Sequence, residues 1–532
     1  MASRAANGNM HTPVKPNVSI DDMPMSTDVG PGPQVKVSYQ DSYSNELDDV
    51  AHSIDGSDHE YQQLMEEAMH AFTEEEVEQM MGFLKERGMM AFLQRYVGQL
   101  DIPPSKLLLA FGVLLAPDLR SQLTEEHYIA LLKQAISRTL RDRERLSQYE
   151  TIDDAVALIR NSKHILVLTG AGISVSCGIP DFRSTQGIYA QLRESEIGQT
   201  LADPQQMFDL KFFKENPSVF YSFAHRIFPS NFKPSPCHYF IKLLEDKSKL
   251  LRNYTQNIDT LETVAGVKKV LNCHGSFATA SCITCGTQFP GEEIKEDIFA
   301  ERIPKCTVCI GKGREAGKKK SKGKGKMKPW EEEVTDEDEY KSILKPDITF
   351  FGEKLTSRFD KALFEDREEV DLLLVIGTSL TVAPVSEILH HIPHSIPQII
   401  INKTPVPHVN PDIVILGEAD EAVRYLSYRL GWELPIPPSS EAAHKRPRED
   451  VPVPPERVGQ TWIWTFGSAD GGEWLEEVKE GKIRRYMLAS SDDESGEDEG
   501  DEEVSGDYLR PPKGRDSEES DNSQASKRRR LQ

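Results

Sequence analysis

Four short runs of apolar residues constrain the fold of this 532-residue chain more than any other feature. The clearest covers 164–169 (HILVLT), and similar runs occur at 372–376, 398–401 and 412–416. A largely continuous apolar run is typical of a strand that is buried on both faces of a parallel sheet. Such strands, alternating with helical segments, predict an α/β fold built on a doubly wound parallel sheet.

Composition indicates that this sheet domain does not use the whole chain. Hydrophobic residues make up 38% of the sequence, whereas compact domains have about 45–50%. The formal net charge of −23 argues against a protein held on nucleic acid by its overall charge, because phosphate binding needs a basic surface. We therefore expect no direct sequence-specific DNA binding.

Membrane and secretion signals are not evident in the sequence. Residues 1–41 contain no apolar run, so we expect no signal peptide. The longest apolar stretch, 107–116, is about half as long as the ~20 residues of a membrane span. We expect an intracellular protein without a membrane partner.

Changes in composition divide the chain into four parts. Residues 1–60 are polar, and 431–532 are Pro-rich and acidic, so we expect both segments to be disordered. Residues 61–146 show apolar residues at helical spacing and predict a small helical region. The sheet domain should then occupy 147–430. Within it, the Lys- and Gly-rich stretch 318–328 is interpreted as a solvated loop.

Four of the seven cysteines form two Cys-x-x-Cys pairs, Cys282 with Cys285 and Cys306 with Cys309. The spacing is typical of a zinc site, and free thiols are the less favoured alternative. Four thiolates leave no open coordination position, so a zinc ion here would be structural. We predict a zinc module at about 273–345, in a chain from a reducing compartment.

A glycine-rich turn, Gly170-Ala171-Gly172, directly follows the first apolar run. Rossmann-like sheets bind a pyrophosphate at such a turn, because glycine lets the backbone approach and the exposed N–H groups favour an anion. The full Gly-x-Gly-x-x-Gly pattern is missing, since Val175 stands in the place of the third glycine. Taken alone, this element is equally consistent with an ordinary strand–helix turn.

Polar residues follow other predicted strands. Gln256-Asn257-Ile258-Asp259, Gly377-Thr378-Ser379 and Asn402-Lys403 each stand where a strand should end. Open α/β sheets bind ligands at the carboxyl ends of their strands, so these positions favour a cofactor site, although each alone fits an ordinary loop. His274, between the 256–259 segment and the first Cys-x-x-Cys pair, is a candidate general base or a structural histidine.

In combination, these motifs resemble the sirtuin family of NAD-dependent protein deacylases. The matching motifs occur in the family's order over about 147–430: GAGIS at 170–174, GIPDFR at 178–183, TQNID at 255–259, His274-Gly275, the four cysteines, FGE at 351–353 and GTS at 377–379. Segments 273–282 and 345–353 look like the nuclear fungal branch that deacetylates histones in silenced chromatin.

The resemblance implies which residues bind NAD and substrate. It makes His274 the base and Asn257 a second catalytic residue, and it implies a structural zinc on the four cysteines. The implied NAD contacts are Gly170, Ala171, Gly172, Ile179, Asp181, Phe182, Arg183, Tyr189, Gln256, Asn257, Ile258, Asp259, Gly377, Thr378, Ser379, Asn402, Lys403 and Ala419. Ala419 departs from the cysteine usual in the family. The implied peptide contacts are Phe351, Gly352, Glu353 and Val382, which would clamp the substrate as an added strand.

The resemblance also implies the reaction. Nicotinamide is expelled, the acetyl-lysine carbonyl oxygen captures the ribose C1′, and His274 removes a ribose hydroxyl proton. The products are nicotinamide, O-acetyl-ADP-ribose and deacetylated lysine. Two alternatives stay open: mono-ADP-ribosyl transfer in the same pocket, and a largely non-catalytic chromatin scaffold. Intact Asn257, Asp259 and His274 argue against the scaffold.

The implied partners are acetylated histone tails or other acetyl-lysine proteins, and a silencing complex. Basic clusters at 445–448 and 527–530 resemble nuclear localisation signals, so we expect a nuclear protein.

Overall fold

The structure is a computed structural model, and its description is confined to part of the chain. The described residues are 66, 68, 70–184, 187–195, 198, 201–229, 232–310, 342–354, 357–435 and 451–481. The predicted N-terminal tail, the lysine-rich loop at 318–328 and both basic clusters lie outside these ranges. Among the helices within them, none combines the length and apolar character that crossing a membrane requires.

Fifteen α-helices are described in these ranges. They are α1 Glu74–Phe92, α2 Pro104–Ala110, α3 Pro117–Gln122, α4 Glu125–Arg141, α5 Ile152–Asn161, α6 Ile188–Glu194, α7 Leu210–Glu215, α8 Pro217–Ala224, α9 Pro236–Asp246, α10 Leu261–Val264, α11 Glu292–Phe299, α12 Ser357–Asp366, α13 Ile388–His391, α14 Ala419–Leu430 and α15 Gly472–Lys479. The strands are β1 Ile165–Thr169, β2 Leu250–Thr255, β3 Val270–Asn272, β4 Gly275–Cys282, β5 Gln288–Pro290, β6 Leu344–Ile348, β7 Leu372–Ile376, β8 Gln398–Asn402, β9 Ile413–Leu416, β10 Glu456–Arg457 and β11 Ile463–Thr465.

The four apolar runs become β1, β7, β8 and β9 of an eight-stranded sheet, and every residue of these strands is buried. The strand order is β10-β11-β9-β8-β7-β1-β2-β3, and all neighbours pair in parallel except β10 with β11. From β1 the chain builds outward to β2 and β3, and later from β7 outward to β8 and β9. The reversal between β1 and β7 is the switch point at which such sheets bind ligands. The predicted fold class is confirmed.

Helices cover both faces of this sheet, because successive strand side chains point to opposite sides. Ile165 and Val167 face a core formed with α5, α9 and α14. Leu166 and Leu168 face a second core formed with α12 and α13. Both faces of the sheet are therefore packed with apolar side chains.

A smaller domain lies against the carboxyl ends of the strands. Its three-stranded antiparallel sheet has the order β5-β4-β6. The core of this domain includes side chains of α6, α8 and α11 together with Phe277 and Phe350. The segment carrying the four cysteines is thus attached to the region that flanks the switch point.

The helical region buries its own core, centred on Leu84, Phe92, Leu132 and Ile136. Helix α1 of this region begins with a capping box, in which Thr73 and Glu76 exchange backbone-to-side-chain hydrogen bonds. The helical region is therefore a separate hydrophobic unit that packs on the sheet domain.

A buried ion pair joins the end of this region to the sheet. The Arg143 guanidinium donates to both carboxylate oxygens of Asp412 at 3.1 and 2.7 Å, and Asp412 is fully buried. We expect Arg143→Ala to lower the free energy of unfolding by about 3–5 kcal/mol, because it leaves a buried charge without its partner. Urea unfolding measures this.

Arg87→Ala is the matched control for that experiment. Arg87 pairs with Glu368, but both side chains are more than half exposed. Such surface pairs contribute about 1 kcal/mol or less. Equal losses in the two variants would contradict the importance assigned to the buried pair.

The prediction of a disordered chain from residue 431 onward is wrong for 451–481. Strand β11 pairs in parallel with β9 and extends the main sheet, while β10 adds an antiparallel edge. Trp462 and Ile463 are buried against Val414 and Leu416 of β9. The sequence has a cluster of aromatic residues at 462–466. The strand there was not predicted, because the flanking segments are polar and Pro-rich and its partner strand lies more than 40 residues earlier.

Candidate active site

A cleft of about 1660 Å³ lies at the carboxyl ends of the parallel strands, between the large and small domains. Loops after β1, β2, β3, β7, β8, β9 and β11 all contribute to its lining. The predicted residues that line it are Ala171, Gly172, Asp181, Phe182, Arg183, Tyr189, Gln256, Asn257, Ile258, His274, Phe351, Gly352, Glu353, Gly377, Thr378, Ser379, Val382, Asn402, Lys403 and Ala419. The chain therefore brings most of its predicted site residues together.

The glycine-rich turn packs tightly against the loop that follows β7. The Gly172 N–H donates to the carbonyl of Gly377 at 2.8 Å. A Cβ on Gly170 would stand 2.7 Å from Cβ of Thr378, and one on Gly172 would stand 2.7 Å from Cα of Gly377. Both glycines are required by this close approach. Gly170 is not among the cleft-lining residues; its role is to let the turn pack closely against Thr378.

The loop after β2 presents Asn257 to the cleft and turns Asp259 away from it. The Ser174 hydroxyl donates to the Asp259 carboxylate at 2.7 Å and accepts from the Asn257 amide at 3.2 Å. Asp259 is buried, and it is not among the lining residues. Burial raises the pKa of its carboxyl, which the bonds from Leu261 and Ser174 partly oppose. In this structure Asp259 orients Asn257 through Ser174.

Two further buried groups lie below this loop, and sequence reasoning missed both. His238 and Glu262 approach Asp259, with the three potential ligand atoms within 4.8 Å of one another. The His238 Nδ1 accepts the backbone N–H of Ser235 at 3.1 Å, so Nε2 of the neutral ring carries its proton and is not free to ligate a metal. Burial and the charge of Asp259 raise the pKa of Glu262 to about 7.

His274 has the protonation state that a general base requires. Its Nδ1 lies 3.0 Å from the carbonyl oxygen of Gln256, which can only accept, so Nδ1 carries the proton and Nε2 keeps a lone pair. Burial lowers the pKa of His274; the Gln256 bond partly opposes this, and the charge of Arg183 adds to it. The half-buried ring lines the cleft in its neutral form.

The loop 181–183 borders the cleft near His274. Asp181 accepts the backbone N–H groups of Arg183 and Ser184 at 2.8 and 2.7 Å. The Phe182 ring contacts the rings of Tyr189 and Phe208, with centroids 5.8 and 6.0 Å apart. Ile179, also predicted to contact the ligand, is not among the lining residues.

The opposite end of the cleft is formed by the loops after β7, β8 and β9. The Gln256 amide donates to the Thr378 hydroxyl at 3.0 Å and joins the two halves. Asn402, Lys403 and Ala419 lie beyond Thr378. Glu418 and Asp470 also line this end, and neither was predicted from sequence.

The expected peptide-binding segment is partly paired within the chain. The Phe351 N–H donates to the Phe208 carbonyl at 2.7 Å, and its carbonyl accepts from Leu210 N–H at 3.0 Å. The backbone of Phe351 therefore does not have these groups free for an added strand. Phe351 as a whole is 39% exposed, beside the cleft. Glu353 is held by Lys345 at 3.0 Å and by the Phe350 N–H at 2.7 Å.

The four predicted metal ligands come together in the small domain. The Sγ atoms of Cys282 and Cys309 are 3.7 Å apart, as are those of Cys285 and Cys306. Four thiolates around a tetrahedral zinc with bonds of about 2.3 Å are separated by about 3.8 Å. The donor set and its spacing therefore fit zinc.

Comparison with known proteins agrees with this geometry. Residues 170–384 match the family model described as "Sir2 family". The chain contains a Sir2 family domain. Residues 117–169, which precede it, match a family model described as "Protein of unknown function (DUF592)".

Curated relatives of the Sir2 domain include fungal and animal proteins. The chain is 46% identical over 331 residues to "NAD-dependent histone deacetylase SIR2" of Kluyveromyces lactis, covering 60% of this chain and 48% of the relative. It is 48% identical over 311 residues to the protein of the same name from Candida glabrata, covering 57% and 60%. It is 47% identical over 291 residues to "NAD-dependent protein deacetylase sirtuin-1" of Homo sapiens, covering 55% and 35%. The chain thus spans less than two thirds of the length of each.

Proposed function

We propose that this chain is an NAD-dependent histone and protein lysine deacetylase that acts in chromatin silencing. One observation carries the proposal. His274 lines the same cleft as the glycine-rich turn and the polar strand ends, and its Nε2 is left as a proton acceptor because Nδ1 bonds the Gln256 carbonyl. The names of these relatives, which describe NAD-dependent deacetylases, support the same activity for this domain.

The strand order suggests how NAD would lie in the cleft. Adjacent strands are about 4.8 Å apart, and their loops follow one another along the cleft in the order of the sheet. The adenosine half would lie over Thr378, Asn402 and Ala419, and the pyrophosphate over the turn at 171–172. The nicotinamide half would then lie near Asn257 and His274. Bound there, NAD supplies a ribose carbon that reacts when nicotinamide leaves.

The residues at that end would bind the nicotinamide half of NAD, orient it and deprotonate a ribose hydroxyl. Asn257, fixed by Ser174, would bind the nicotinamide ribose or the carboxamide. His274 would accept a proton from a ribose hydroxyl at Nε2, while Gln256 holds the ring through Nδ1. Phe351, which is exposed, would contact the acetyl-lysine peptide. The peptide would also contact Gly352, Glu353 and Val382. A zinc ion on the four cysteines would hold the small domain together and take no part in the chemistry.

Product analysis tests this proposal. The full chain is incubated with acetylated histone peptides, with and without NAD, and the products are identified by mass spectrometry. We expect free lysine peptide, nicotinamide and O-acetyl-ADP-ribose in equal amounts, only when NAD is present. ADP-ribose attached to protein, with the acetyl group retained, would favour the transferase alternative. No NAD-dependent product would favour the scaffold.

The pH profile should report the base. Because burial holds the pKa of His274 below its ordinary 6.5, the neutral ring predominates at pH 7. We expect kcat/KM to be level above neutrality and to fall about tenfold per pH unit below that pKa. Burial and the charge of Asp259 raise the pKa of Glu262 to about 7, so its carboxyl is the other candidate for the acidic limb. Glu262→Gln removes that carboxyl, and the limb should persist because His274 is still present. An inflection above 6.5, or its loss in Glu262→Gln, would assign the limb to another group.

We further propose that the protein works in the nucleus as part of a silencing complex. The basic clusters at 445–448 and 527–530 support this location. Deleting both clusters should abolish nuclear accumulation of a tagged protein, and unchanged accumulation would contradict the assignment.

A further inference from the structure

The segment 451–481 contributes a wall to one end of the cleft. Asp470 follows β11 and is among the lining residues. Its N–H donates to the carbonyl of Lys403 at 2.9 Å. Because β11 pairs with β9, this wall stands beside Ala419, at the end where the proposed function places adenosine.

This wall is fixed to the sheet by several independent contacts. The Phe466 N–H donates to the Leu416 carbonyl at 2.8 Å, and a Cβ on Gly417 would stand 2.8 Å from that of Phe466. The Ser468 hydroxyl accepts the Glu418 N–H at 2.8 Å and donates to Glu421. The backbone that carries Asp470 is therefore positioned by its neighbours, whereas its own side chain is exposed.

The charge at this end of the cleft is negative. Lys403 is paired with Glu418 at 2.7 Å, so its ammonium is already neutralised. The bond and charge of Glu418 raise the pKa of Lys403, and the carboxylates of Asp470 and Asp181 add to the effect. The three carboxylates thus act on one ammonium group. Arg183 of the loop 181–183 has a charge that acts on His274.

We propose that Asp470 excludes a 2′-phosphate from the adenosine ribose, while Glu418 neutralises Lys403 as a cation that could bind it, so that the cleft selects NAD over NADP. This inference rests on the proposed NAD site. A carboxylate beside the adenosine ribose accepts a hydrogen bond from a 2′-hydroxyl, whereas cationic side chains accommodate a 2′-phosphate. A phosphate monoester carries about two negative charges, which the nearby carboxylate of Asp470 repels.

Binding of the two dinucleotides tests the inference without requiring turnover. Dissociation constants for NAD and NADP are measured by calorimetry on the full chain and on Asp470→Lys. We expect the wild-type chain to bind NAD at least about tenfold more tightly than NADP, and Asp470→Lys to reduce that ratio by about tenfold or more. Asp470→Asn, which removes charge without adding a cation, should change the ratio in the same direction by less.

Glu473→Lys is the matched control, because it makes the same charge change on an exposed residue of the same segment, outside the cleft. It should leave the ratio unchanged. An unchanged ratio in both Asp470 variants, or equal wild-type affinities for the two dinucleotides, would overturn the inference while leaving the NAD site intact. Failure of the wild-type chain to bind NAD would instead overturn the proposed function and this inference with it.

Discussion

Replacing His274 with alanine will lower the rate of NAD-dependent deacetylation by about 10²–10⁴-fold, the usual contribution of a positioned general base. The reason is the geometry of the ring: Gln256 holds Nδ1 at 3.0 Å and leaves Nε2 as the acceptor at the cleft. Initial rates of acetyl release from a histone peptide at saturating NAD measure the loss. Zinc content should stay unchanged, because His274 lies outside the cysteine cluster.

His164→Ala is the control for that variant. His164 is exposed and lies just before β1, at the amino end of the strands, whereas the cleft lies at the carboxyl ends. It should retain nearly full activity. If His274→Ala kept wild-type rates while still binding NAD, a different group would have to remove the proton.

Replacing Cys306 with alanine will remove zinc and unfold the small domain. Cys306 is fully buried, and structural zinc contributes about 10–16 kcal/mol in zinc-finger peptides, as much as or more than the ~5–15 kcal/mol of a whole domain. Because β4 and β6 of that domain flank the cleft, deacetylation should be lost as well. Elemental analysis gives the zinc content, and limited proteolysis reports the unfolding.

Cys177→Ala serves as the matched control, since Cys177 is half-buried and belongs to none of the metal-ligating groups in the described residues. It should keep one zinc per chain and a protease-resistant small domain. Full zinc content in Cys306→Ala would contradict the four-thiolate site.

Local patterns were sufficient to predict the centre of the fold. The apolar runs at 372–376 and 398–401 are β7 and the first four residues of β8, because strands buried on both faces need unbroken apolar sequence. The Cys-x-x-Cys pairs likewise predicted contact between Cys282 and Cys309, because each pair needs a second pair to complete a tetrahedron.

The same patterns could not predict which distant segments pair with each other. Strand β11 has three residues, and nothing within it specifies that it joins β9. For that reason Asp470 and Glu418 were not recognised as neighbours in one cleft. The motif at 256–259 was recognised, but its spacing did not indicate that Asp259 turns inward to Ser174 while Asn257 remains at the cleft.

A crystal structure of the full chain with NAD and an acetyl-lysine peptide would examine the reacting atoms themselves. We predict that Nε2 of His274 lies about 2.6–3.2 Å, or one bridging water, from a hydroxyl of the nicotinamide ribose. Adenine should lie at the Ala419 end of the same cleft. A dinucleotide bound in the reverse direction, or a nicotinamide ribose out of reach of His274, would contradict the account.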